Sequence, residues 1–216
     1  MQEIDNDYKI EYKYLITYNP KEFNGVLFIM KEPNAGSDAG NTEKLKDIRD
    51  NNLKWFLNRI AGTEEDRLDF IKREKYSKED IKKCNKTDSQ YRKRFREMLK
   101  FIDESENGLK NAAYANINPL GGGTSTGSVY KKLITDKEEV WERVKYIIKE
   151  TNPTIIFACS EIYNIIREKK EYGGKDNDSK MYPQKEYKFF SDDNKTFYEI
   201  HHPICSPRIE KTKRDA

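Results

Sequence analysis

The apolar residues of this chain fall into short unbroken runs and into sets spaced for helices. Val26–Met30 (VLFIM) and Thr154–Cys159 (TIIFAC) are near-continuous apolar runs, and Ala112–Ile117 (AAYANI) is a shorter one. Such runs read as strands buried on both faces, as in a parallel sheet. Tyr8, Ile10, Tyr12, Tyr14, Ile16 and Tyr18 alternate with mostly polar residues. That period of two predicts a half-exposed strand, with an N-terminal helix as the alternative. Tyr187–Phe190 and Thr196–Ile200 flank the polar stretch Ser191–Lys195 and predict a hairpin. Lys169–Glu186 is polar with a Gly173-Gly174 pair, and is expected to be a loop.

Helical spacing fills the gaps. Leu45, Ile48, Phe56, Leu57 and Ile60 form one set, Leu68 and Ile71 a short one, and Tyr91, Phe95, Met98, Leu99 and Ile102 the cleanest face. Ser77-Lys78-Glu79-Asp80 resembles a capping box before Ile81, and Thr135-Asp136-Lys137-Glu138 another. The second opens a helix with Trp141, Val144, Ile147 and Ile148 on one face, stopped by Asn152-Pro153. Ser160 is placed to cap a helix facing inward through Ile162, Ile165 and Ile166. Strands alternating with helices predict a three-layer α/β/α sandwich with a mainly parallel central sheet of about four strands. The chain of 216 residues is expected to form one domain, residues 1–216, with 37–110 a helical elaboration after the first strand.

Composition narrows the classes. Charged residues are 37% and hydrophobic ones 35%, so aromatics at 12% must supply much of the core. A net charge of +3 does not demand a polyanionic partner. Cys84, Cys159 and Cys205 are scattered and odd in number, which argues against a disulfide framework or a four-thiolate metal site and for a reducing compartment. No apolar run has membrane-spanning length, and the polar start MQEIDNDYKIEYK predicts no signal peptide. A cytoplasmic monomer is expected, with no membrane partner.

Candidate chemistry gathers where strands end, the place where open α/β sheets bind ligands. Glu32 is a carboxylate beside Pro33, followed by Asn34. Asn116 and Asn118 close the second run; an asparagine offers a donor and an acceptor to a base edge, or satisfies loop backbone. Gly121–Gly123 with Thr124, Ser125 and Ser128 offers bare amides and hydroxyls but lacks the Gly-Lys-Ser/Thr of a Walker loop. His201 and His202, the only two histidines, are adjacent, so on a strand they point to opposite faces and make no convincing metal site. Cys159 reads as core. Arg92, Lys93, Arg94 and Arg96 read as a solvated helix face or as a phosphate contact.

The order VLFIMKEPNAG, YANINPL, ACSE and HHPICSPR resembles the uracil-DNA glycosylase superfamily, closest in motif to its single-strand-selective monofunctional branch. Glu32 stands where that family has Asp or Asn more often, and three cysteines are too few for its iron–sulfur branch. The resemblance implies hydrolysis of the N-glycosidic bond of uracil or another deaminated base in single- or double-stranded DNA, with no metal and no other cofactor. It assigns catalysis to Glu32 and His202 and base recognition to Asn116 and Asn34. DNA contacts fall to Ser160, Ser206, Arg208 and Gly122, with Ile204 as a wedge. The alternative is a non-catalytic member of the same fold binding a nucleotide, a nucleic acid or a protein. A weaker one is a small-molecule nucleoside hydrolase using Glu32 and His202.

Overall fold

The computed structural model describes residues 9–11, 16–31, 41–44, 46–47, 50, 64–73, 77–79, 81–82, 93, 95–96, 98–99, 108–119, 133–169, 176–182, 185–191 and 194–200. The apolar runs are strands: β3 (Val26–Met30), β4 (Ala113–Asn116) and β5 (Ile155–Cys159). With β8 (Thr196–Ile200) they form the parallel centre of a mixed sheet, in the order β4-β3-β5-β8. Helices pack on this sheet, and the fold is α/β.

The sheet is wider than the expected four strands. β1 (Lys9–Glu11) and β2 (Ile16–Tyr18) add antiparallel strands beside β4, and β7 (Lys185–Ser191) and β6 (Asp176–Tyr182) beside β8, giving eight among the described residues. The N-terminal alternation is therefore two paired strands, with Lys9 opposite Tyr18. Ile16, Thr17 and Tyr18 are all buried, so β2 is covered on both faces and is not half exposed. The β7–β8 hairpin stands as the pattern predicts, Ser191 opposite Thr196. Part of the expected loop 169–186 is β6. A polar edge strand needs only backbone pairing, so its residues carry no apolar signal.

Strand alternation divides the core in two. Leu27, Ile29, Ala113, Ala115 and Ile156 face one cluster, with α2 (Lys137–Thr151) and α3 (Ser160–Glu168) packed over them. Val26, Phe28, Tyr114 and Phe157 face another, covered by Phe95, Met98, Leu99 and Leu109 from the stretch between β3 and β4. On that second face an aromatic row crosses all four parallel strands. Tyr114 stacks on Phe28 (5.1 Å), Phe28 on Phe157 (5.0 Å) and Phe157 on Tyr198 (5.2 Å). Phe95 meets Phe28 edge-on at 4.7 Å and Tyr114 at 5.7 Å, an arrangement the ring quadrupoles favour.

Two helix details depart from expectation. Asp136, not Thr135, caps α2, its Oδ1 accepting from the Glu139 amide at 3.0 Å. Ser160 is the first residue of α3 and not its cap; Cys159 holds the cap position and makes no side-chain bond there. In α1 (Glu64–Arg73), Ile71 is buried as expected, but Arg67 is buried where Leu68 is 43% exposed. Helical residues at 78–79 and 81–82 follow Ser77, whose carbonyl accepts from the Ile81 amide. The set Leu45–Ile60 and the ends of the Tyr91–Ile102 face lie outside the described residues. Lys93 and Arg96 are exposed, which suits a solvated face and a phosphate contact alike.

Candidate functional site at the carboxyl ends of the parallel strands

The four parallel strands end together. Met30 pairs with Asn116, Ile29 with Ala158 and Cys159 with Ile200, so Asn116, Met30, Cys159 and Ile200 lie along one rim. The connection leaving β3 packs on the Phe28 face, whereas those leaving β4 and β5 pack on the Leu27 face. From β3 the chain steps one way to β4, then back past β3 to β5. Crossovers of one hand require opposite faces for opposite steps. Where neighbouring strands send their connections to opposite faces, the helices part and leave a crevice. That point is the end of β3, flanked by β4 and β5.

Asn116 stands on this crevice. Alternation puts it on the face of Tyr114, and it is only 8% exposed. Asn118 is 1% exposed. The backbone between them is bound closely. The Ile117 amide donates to the Met30 carbonyl at 3.0 Å and the Asn118 amide to the Lys31 carbonyl at 2.9 Å. From α2, Arg143 Nη1 donates to the Ile117 carbonyl at 2.8 Å.

On the β5 side, Lys31 Nζ donates to Glu161 Oε1 at 2.8 Å and so joins the exit of β3 to the first turn of α3. Both side chains are partly exposed, so this pair fixes direction more than it adds stability. Ser160 opens α3 directly after Cys159 at the same rim, and Cys159 makes no side-chain cap bond there. Ser160 is partly exposed. The Cys159 thiol is buried in the first cluster, as its sequence setting implies.

Of the residues singled out from sequence, the structure places Asn116 and Ser160 on this rim. Glu32, Asn34, Gly122, His202, Ile204, Ser206 and Arg208 lie outside the described residues. Sequence reading passed over Arg143 and the Lys31–Glu161 pair. Arg143 carried a signal: it lies three residues after Val140 and four before Ile147, both buried, where the apolar stripe would lead one to expect an aliphatic residue. The Lys31–Glu161 pair spans 130 positions and has no local signature.

Among the described residues, no group of three or more His, Cys, Asp or Glu side chains is placed to hold a metal ion. Among them, too, no helix is long and apolar enough to cross a membrane. Comparisons with protein-family models, with curated proteins and with solved structures give no match for this chain.

Proposed function

We propose that this chain is a monofunctional DNA glycosylase of the uracil-DNA glycosylase type, built as a three-layer α/β/α sandwich with residues 37–110 elaborating the first crossover. One observation carries the reading: the strand ends that bear the motif residues share one rim, with the switch-point crevice at β3. Glu32 follows Met30 by two residues, and His202 follows Ile200 by two. Asn116, whose amide offers both a donor and an acceptor, is already on the rim.

In this reading the target base leaves the stack and enters the crevice. Glu32 orients a water and takes its proton as the water oxygen bonds to the sugar carbon. The glycosidic bond breaks and its electron pair leaves with the base. The carboxylate also favours the oxocarbenium-like transition state, and His202 donates to the departing base as its negative charge grows. Asn116, helped by Asn34, accepts from and donates to the Watson–Crick edge, which admits uracil and rejects cytosine. Ser160, Ser206, Arg208 and the Gly122 loop hold phosphates, and Ile204 fills the vacated stack. No step draws on a metal or an organic cofactor.

A net charge of +3 and Glu32 in place of the family's more usual Asp or Asn favour a second reading, a non-catalytic nucleic-acid-, nucleotide- or protein-binding member of the same fold. The two separate on oligonucleotides, single- and double-stranded, carrying uracil, hypoxanthine or xanthine, with alkali cleavage reporting abasic sites. The glycosylase reading expects wild-type cleavage at one of these bases. It expects losses of about a hundredfold or more in Glu32→Gln and His202→Ala, and a failure to discriminate uracil from cytosine in Asn116→Ala. Wild-type silence on every base would leave the binding reading standing.

A further inference from the structure

We infer that Arg143 is a positioning residue for the base-reading segment Asn116–Asn118, and so sets base selectivity without touching the base. The inference rests on the glycosylase reading above. Successive amides of a regular strand point to opposite neighbours. Here the amides of Ile117 and Asn118 both reach carbonyls of the same neighbour, at Met30 and Lys31. The regular strand therefore ends between them, and the chain turns as it leaves the sheet. That turn sets the Ile117 carbonyl toward α2 and not toward a strand partner.

Arg143 takes that carbonyl with Nη1 at 2.8 Å. A charged donor makes a stronger and more directional bond than a neutral one. The guanidinium is itself fixed from the other side, its Nε at 2.8 Å and its Nη2 at 2.7 Å from Glu139 Oε1. Glu139 in turn is in the first turn of α2, its amide bonded to Asp136 Oδ1 at 3.0 Å. A helix cap, a carboxylate and a guanidinium thus run in series to one carbonyl. That carbonyl lies between the two buried asparagines, at 8% and 1% exposure. An amide that must present donor and acceptor correctly to a base edge tolerates little rotation, so holding this carbonyl holds the reading.

The test uses the full-length protein with Arg143→Met, which keeps the stem and removes the donors, and Arg143→Lys, which restores a single charged donor. Uracil and cytosine oligonucleotides give the selectivity ratio, and amide hydrogen exchange reports Ile117 and Asn118. The expected result is a uracil-to-cytosine preference lower by about tenfold to a hundredfold in Arg143→Met. Faster exchange at Asn118 and partial recovery of both in Arg143→Lys complete it. If wild type is active and Arg143→Met loses rate on both bases with its selectivity intact, Arg143 only supports the fold and the inference falls while the glycosylase reading stands. Wild-type silence on every base overturns both. Should Arg143→Met fail to fold, Arg143→Lys and Arg143→Gln are judged on the same two readouts.

Discussion

Gly25 shows how one residue can be required by its backbone. Its φ of +81° lies in the left-handed region, and a Cβ there would come within 2.7 Å of Thr154 Oγ1. Its carbonyl accepts from the amides of Thr154 and Ile155, at 2.9 and 3.1 Å, so it ties the start of β3 to the start of β5. Gly25→Ala is expected to cost about 1–3 kcal/mol, seen as a lower urea midpoint. The double variant Gly25→Ala/Thr154→Ala removes the clash but not the conformational strain, and should recover part of that loss. Full recovery would show that the left-handed φ costs nothing here. Tyr198 carries a pH effect. Burial raises its phenol pKa above 10.0. Above that pH the unfolded chain gives up the proton more readily than the folded one, so stability should fall as pH rises through this range and be insensitive to Tyr198 near neutrality. Tyr198→Phe should flatten the alkaline limb of a stability profile. Neither residue was singled out in the sequence, since a positive φ and a burial-shifted phenol both depend on neighbours far away in the chain.

At the scale of elements, the apolar runs located the central strands and the capping signals located the helices within a residue or two. They put the cap of α2 one residue early, at Thr135. Thr135 and Asp136 both suit the position, and geometry chooses Asp136 because its carboxylate reaches the Glu139 amide. Asp136→Ala should lower stability by about 1 kcal/mol and take with it the bond to the Glu139 amide, which Thr135→Ala leaves in place; thermal melts and Glu139 amide exchange in the two variants check the assignment. The aromatic row was hidden for a different reason. Tyr114, Phe28, Phe157 and Tyr198 come from four separate segments, and only the register of the parallel pairs brings them into line. Truncating Phe28 and Phe157 to Leu, singly and together, should expose a coupling of about 0.5–1.5 kcal/mol. Additive costs would mean that the rings contribute by burial alone.

For the whole molecule, the parallel centre was legible because strands buried on both faces read as unbroken apolar runs. The N-terminal strands and β7 showed in part, through alternation and the hairpin pattern, whereas β6 did not, because an edge strand is stabilised by backbone pairing that polar residues permit equally well. The rim was legible as a place, since each central strand is followed by polar residues. Arg143, which bonds the Ile117 carbonyl from α2, was not, because nothing local links the two. This difference between centre and edge should appear in the order in which the sheet opens. β6 pairs only with β7 among the described strands and carries Asp176-Asn177-Asp178-Ser179-Lys180, whereas β3 and β5 are each paired on both sides and buried in two clusters. Releasing β6 costs one ladder. Releasing β5 breaks two ladders, the aromatic row and the joint at Gly25. Local openings span the range from nearly free to the full unfolding free energy. Amides of β3 and β5 should therefore exchange only through global unfolding, and those of β6 at least about a hundredfold faster through an opening of their own, equivalent to about 2.7 kcal/mol. Denaturant should slow neither class and should accelerate the β3 and β5 amides with the full unfolding slope, leaving β6 nearly flat. Equal protection across the sheet would mean that β6 is bound into the centre by contacts stronger than its single ladder.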